Sequence, residues 1–292
     1  MKTRWMYLLL LAIAVGPALA QTKGINSVVL KRATAGSPEA QYEVAQAFAL
    51  GQHVPQDFTQ AATWYQKAAE QGHAQAEYEL GLLFHAGLGV PQDNVKAAKW
   101  YRSAADQGIA AAQLNLGVLY DHGEGVSQDS AQAAGWYRKA ALQGVAEAQY
   151  NLGTMYERGV GVPQDYSQAA DLYRKAAENG NASAQFNLGL LYDNGTGLER
   201  NYAQAVAWYT KAAEQGLPRA QFNLGSMYAG GQGVPVNLPE AYFWLDLAAT
   251  TWSGTRQESA VQARDTVAQR LSPIDLSAAK DRAEEWLASH RK

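Results

Sequence analysis

Three acidic residues, Asp121, Glu157 and Asp193, stand 36 residues apart in a chain of 292, and His85 holds the same place one interval earlier. Two carboxylates about 5–10 Å apart are what glycoside hydrolysis requires, one to protonate the leaving oxygen and one to act as base or nucleophile. Helices stacked at about 8–10 Å would bring such acids face to face. The competing reading is a solvated face, the ordinary place for charge at a helix end. A serine acyl-transfer site needs a base and an orienting group beside its nucleophile. No G-x-S-x-G occurs, and Ser127, Ser167 and Ser226 fall where other copies of a repeat carry proline, alanine or threonine. His53, His73, His85, His122 and His290 form no H-x-x-x-H, and His85 and His122 together supply at most two ligands. Neither a metal nor a cofactor is expected from that inventory.

A second candidate is the glycine-rich stretch "GVGVPQD" (159–165). A phosphate loop follows a strand and carries lysine and a hydroxyl residue at fixed spacing. Here GK[ST] is missing and the stretch recurs as "GLGVPQD" (87–93), "GEGVSQD" (123–129), "GTGLERN" (195–201) and "GQGVPVN" (231–237). Every copy, "GQHVPQD" (51–57) included, ends in Asp or Asn, favoured at a helix N-cap. The spacing predicts a turn between two helices.

The elements that must position these residues repeat without insertion. Trp64, Trp100, Trp136, Trp208 and Trp244 share one 36-residue register, as do Gly81, Gly117, Gly153, Gly189 and Gly225. Six copies in phase occupy 37–252. Each reads as two helices. In "ASAQFNLGLLYDNG" (182–195), Ala184, Leu188 and Tyr192 form one face, while Phe186, Leu190 and Asp193 form the opposite one. A mid-helix glycine such as Gly189 costs about 1 kcal/mol relative to alanine, so its recurrence predicts close helix–helix contact. The tryptophans of the second helix are expected in the core. Residues 21–36 read as half a repeat capping the array, and 253–292 as two capping helices.

Residues 1–20 differ from the rest: Lys2 and Arg4 precede "MYLLLLAIAV", and Ala18-Leu19-Ala20 follows. This is the pattern of a cleaved secretory signal. The apolar run is short of the roughly 20 residues of a membrane span. Export to a periplasm or beyond is expected, with no membrane insertion after cleavage. Cleavage removes two positive charges, taking the formal net charge from −3 to −5. Nucleic acid is not an expected partner for so acidic a chain without a Lys/Arg cluster. Cysteine is absent, which excludes disulfides, thiolate metal sites and a cysteine nucleophile.

The motifs "AQYNLGTMYERGVGVPQD" (148–165) and "AAGWYRKAALQG" (133–144) resemble the Sel1-like repeat, a relative of the tetratricopeptide repeat. The resemblance implies an all-α, right-handed solenoid of helix–turn–helix repeats, whose first helices line a concave surface, and an adaptor function. Members with paired cysteines have been linked to penicillin binding or weak β-lactamase activity. This chain has no cysteine, so that likeness does not extend to it.

Two columns on the first helices are the expected partner-binding surface. One is aromatic: Tyr78, Tyr150, Phe186 and Phe222, with Tyr42 at the same place and Leu114 as its exception. The other is Asn115, Asn151, Asn187 and Asn223. If the opposite stripe packs in the core, these face a groove in which rings and amides hold an extended peptide. The alternative is that the rings pack on the neighbouring repeat and the amides satisfy inter-helix groups. With Asp121, Glu157 and Asp193 beside them, the expected partner is a protein or peptide with basic segments, bound by a monomer. A binder of cell-wall peptide or glycan that modulates a wall enzyme is the second reading, and a weak hydrolase the third.

Overall fold

The structure, a computed structural model, describes residues 24–290. The signal-like features at Lys2, Arg4 and Ala18-Leu19-Ala20 lie outside the described residues. Among those described there are fifteen α-helices and no strand. The short α1 (Ser27–Thr34) precedes six pairs. The first member of each pair, helix A, is α2 (Pro38–Leu50), α4 (Ala74–Ala86), α6 (Ala110–His122), α8 (Ala146–Arg158), α10 (Ala182–Asn194) or α12 (Pro218–Gly230). Helix B is α3 (Phe58–Ala69), α5 (Asn94–Asp106), α7 (Ser130–Leu142), α9 (Tyr166–Glu178), α11 (Tyr202–Glu214) or α13 (Leu238–Thr251). Two longer-spaced helices, α14 (Thr255–Ala268) and α15 (Pro273–Ser289), follow.

The chain divides between Ala140 and Ala141 into two compact units. In the first, α1 to α6 pack each on the next. In the second, α8 to α13 do the same, and α14 and α15 both pack on α13. A helix A inside either unit therefore touches two B helices, its own and the preceding one. That is why both of its stripes are buried: in α10, Leu188 is 0 % and Phe186 8 % exposed.

The turns are satisfied by their own chain. Asp93 caps α5 by accepting from the Lys96 amide, and its own N–H donates to the Phe84 carbonyl at 2.9 Å. The Gln92 side chain donates to the His85 carbonyl at 2.9 Å, and Gln56, Gln128 and Gln164 do the same in their turns. The second glycine of the turn has a separate task. At Gly125, φ is +69° and an added Cβ would lie 2.1 Å from the Asn94 carbonyl oxygen, at the start of helix B in the preceding repeat. In the first repeat His53 takes this place at φ 64°, where no full repeat precedes it.

The glycine of helix A meets the tyrosine that follows the tryptophan of helix B. A Cβ on Gly81 would lie 2.6 Å from the Tyr101 ring, on Gly117 2.7 Å from Tyr137, on Gly153 2.9 Å from Tyr173 and on Gly189 2.7 Å from Tyr209. Gly225 meets Leu245 instead, at 2.7 Å, and the first repeat carries Ala45 opposite Tyr65. Tyr101, Tyr137, Tyr173 and Tyr209 are no more than 1 % exposed. The tryptophans differ from the core role expected of them. Trp136 and Trp244 are buried, but Trp64, Trp100 and Trp208 are half-buried. Lysines lie over the rings, Lys67 at 4.1 Å from Trp64 and Lys211 at 4.1 Å from Trp208. At about 100° per residue, the tyrosine points at helix A while its neighbour is turned to the flank.

Candidate functional site

The aromatic column lies against these tyrosines. Ring centroids are 5.9 Å apart for Tyr78–Tyr101 and Tyr150–Tyr173, and 5.6 Å for Phe186–Tyr209. Phe222, with Leu245 in place of the tyrosine, packs 5.6 Å from Trp252. Tyr78 and Phe186 are buried, while Tyr150 and Phe222 are half-buried. Each of these rings thus packs against another ring of the chain, and the Arg219 guanidinium of the next repeat lies 4.5 Å from the Phe186 centroid.

The asparagines and acids meet at the tyrosine hydroxyls. Tyr173 donates to Glu157 Oε2 at 2.5 Å, with the Thr154 hydroxyl 3.2 Å away, and the Asn187 amide from the next repeat bonds the same phenol oxygen. Tyr209 donates to Asp193 Oδ2 at 3.2 Å, and Asn223 completes the set. In the first unit Tyr101 faces His85 Nδ1 at 3.3 Å and bonds the Asn115 side chain. Burial pushes all three phenols above the usual tyrosine range, so each stays a neutral donor. At Tyr173 and Tyr209 an amide of the next repeat, a hydroxyl and a carboxylate are thus gathered at one point. Asn115 is buried, and Asn151, Asn187 and Asn223 are half-buried.

For the hydrolase reading, Asp121 belongs to the first unit and Glu157 and Asp193 to the second, the last two each held by its own tyrosine. Two Ser-x-x-Lys spacings occur outside the repeats, Ser289 to Lys292, which ends outside the described residues, and Ser277 to Lys280. Ser277 and Lys280 are exposed on α15. Among the described residues no group of three or more His, Asp or Glu gathers as a metal site would require.

A glutamine column, not singled out by the sequence, closes the B helices. Gln41, Gln113, Gln149, Gln185 and Gln221 donate from Nε2 to the carbonyls of Ala33, Ala105, Ala141, Ala177 and Ala213 at 3.0–3.2 Å. Gln71 and Gln215 in turn donate to Gln41 Oε1 and Gln185 Oε1, each at 2.8 Å and from 30 residues ahead. For Gln149 that donor place holds Asn179, one methylene shorter, and Gln149 Oε1 is buried without a partner. Asn179→Gln is therefore expected to supply the missing bond and stabilise the fold by about 1 kcal/mol, read from chemical denaturation. In the second repeat Glu77 replaces the glutamine. It is 3 % exposed and accepts from Ser103 and Gln107 at 2.7 and 2.8 Å.

The asparagine column also changes at its start: Glu43 and Glu79 occupy its first two places. Glu79 on α4 is half-buried, and its hydrogen-bond donor is Gln75 Nε2 at 3.3 Å. Burial raises its carboxyl above the usual range. Its charge adds to the burial that raises Tyr65, Tyr78 and Tyr101 and holds Tyr42 up at about 12. Because the folded pKa is raised, the native chain keeps a proton that the unfolded chain releases. Stability is thus full below the usual carboxylate range and falls as pH rises through it to the folded value. Glu79→Gln is expected to match wild type at low pH and to exceed it by about 1 kcal/mol or more at pH 7, seen as a flatter plot of Tm against pH.

Repeated helix pairs held by glycine contacts, hydroxyl clusters and glutamine caps, with no assembled catalytic set among the described residues, define a helical-repeat scaffold. The chain belongs to the Sel1 repeat family, whose model matches residues 38–73, 74–109, 110–145, 146–181, 182–217 and 218–250. Among solved structures it is similar to a protective antigen of uropathogenic Escherichia coli strains with an SLR fold, at 35% identity and TM-score 0.79. That match covers 90% of this chain and 56% of the other, so the chain spans little more than half the length of that relative. A Sel1 repeat protein from Oxalobacter formigenes matches at 29% identity and TM-score 0.68, covering 86% of this chain and 97% of the other. No curated protein matches the chain. Sel1 repeat proteins are generally protein-interaction scaffolds, and the fold is typically non-enzymatic. No helix among the described residues is long and apolar enough to cross a membrane.

Proposed function

We propose that this chain is an exported scaffold that binds a segment of a partner protein along the exposed positions of its A helices. One observation carries the reading: the packed places of helix A recur, and its exposed last-turn place varies. The glycine, tyrosine and glutamine places hold nearly the same residue in each copy. The exposed last-turn place of helix A reads Leu50, Ala86, His122, Arg158, Asn194 and Gly230. Packing requires sameness from repeat to repeat, whereas recognition of one irregular partner does not. Export rests on the N-terminal pattern of charge, apolar run and Ala18-Leu19-Ala20.

The test is affinity capture from envelope extract with residues 21–292 as bait. The comparison bait carries Glu147→Ala, Arg158→Ala and Asn194→Ala, all exposed and outside the hydroxyl clusters. A protein held by the first bait and lost from the second, with unchanged Tm, is the expected result. Equal capture by both would move the binding surface off the A helices of the second unit. Wall fragments alone on both would favour the wall-binding reading.

A further inference from the structure

Charge is segregated between the two helix rows of the first unit. Its A helices, α2, α4 and α6, contain no Lys or Arg and carry Glu39, Glu43, Glu77, Glu79 and Asp121. Its B helices carry six basic residues against the single acid Asp106. Of the A-helix acids, Glu77 is engaged by Ser103 and Gln107 toward α5, and Glu39 accepts from the Ser37 hydroxyl at 3.2 Å. Glu43 is exposed, and Glu79 is half-buried one repeat further along the same column. No ion pair involves either among the described residues. The groups bearing on Glu79 are neutral: Gln75 on its own helix, with Tyr42, Tyr65, Tyr78 and Tyr101 on α2, α3, α4 and α5. Tyr42 in turn stacks on His73 with centroids 4.7 Å apart.

We propose that Glu79 anchors a lysine or arginine side chain of an extended basic segment, and that Glu43 takes a second. This rests on the scaffold reading and names the chemistry of the partner. A carboxylate held among phenols with one long hydrogen bond is costly while unpaired, and an incoming ammonium or guanidinium relieves that cost. In the next repeats this column is asparagine, which donates to the preceding tyrosine. A carboxylate has no proton to give and is left to attract a cation. Glu43 and Glu79 stand one repeat apart on α2 and α4. A polyproline-II segment repeats its side-chain direction every three residues, about 9 Å, and so offers basic side chains in series on one side. The recognised pattern is Lys/Arg-x-x-Lys/Arg.

The experiment is a fluorescence-anisotropy titration of the 21–292 chain with a labelled (Lys-Pro-Gln)3 peptide, and with (Gln-Pro-Gln)3 as its neutral counterpart. Wild type is expected to bind the first and not the second, more weakly as salt rises. Glu79→Gln is expected to bind about tenfold more weakly or worse while its Tm at pH 7 rises, so lost binding is not lost folding. Glu43→Gln, at an exposed place, is expected to weaken binding several-fold. Glu178→Gln, exposed on helix B α9 of the second unit, is expected to bind as wild type does. Equal binding of the two peptides, or undiminished binding by Glu79→Gln, overturns the proposal. The scaffold reading fails separately, if no partner protein is captured by any bait.

Discussion

Gly125→Ala is expected to lower stability by about 3 kcal/mol or more, a fall of roughly 6–12 °C in Tm for a chain of this size. Two costs add at this position. An alanine at φ +69° is in the left-handed region, and its Cβ would lie 2.1 Å from the Asn94 oxygen and 2.2 Å from the Asn94 carbon. The neighbour is backbone at the start of a helix and has no rotamer to change. The repeat itself supplies the converse experiment. His53 occupies the same place at φ 64° with no full repeat before it. There the left-handed cost stands alone, so His53→Gly is expected to stabilise by about 0.5–1 kcal/mol. Thermal melts of the two variants check both signs. A Gly125→Ala melt equal to wild type would mean that the turn does not pack against the preceding helix.

Tyr173→Ala is expected to cost about 3–5 kcal/mol, the range for emptying a buried aromatic site. It is 0 % exposed, with its ring against Gly153 and tilted against Tyr150, and its hydroxyl donates to Glu157 with the Asn187 amide beside it. Truncation therefore leaves a cavity and also strands a carboxylate and an amide. Trp208→Ala removes a larger side chain and is still expected to cost less, because Trp208 is half-buried under Lys211. Tyr173→Phe keeps the ring and is expected to lose about 1 kcal/mol through the hydroxyl alone. Urea denaturation of the three variants orders the columns. A tryptophan variant less stable than Tyr173→Ala would return the tryptophans to the centre of the core.

Much of this was legible without coordinates. The 36-residue register of tryptophan and glycine, the turn with its Asp or Asn cap, and the two-helix repeat follow from local rules, which need only the nearest residues in the chain. Family membership is legible for the same reason, since it rests on motifs contained in each repeat. Which side chains are free to meet a partner is a different kind of question. Phe186 and Leu188 sit on opposite faces of α10, and periodicity alone assigns one to the core and the other to a groove. Packing by α9 on one side and α11 on the other buries both. Asn187 looks available until Tyr173, fourteen residues earlier, comes within bonding reach. Tyrosine outranks tryptophan in the core because of a rotation of about 100° per residue relative to a helix that sequence does not place. The chain by itself determined the repeat, because its signals are local. Only the tertiary structure decided that Glu157 and Asp193 meet buried tyrosine hydroxyls, and that Glu79 is half-buried with no ion pair among the described residues. Burial and pairing depend on neighbours brought together across repeats.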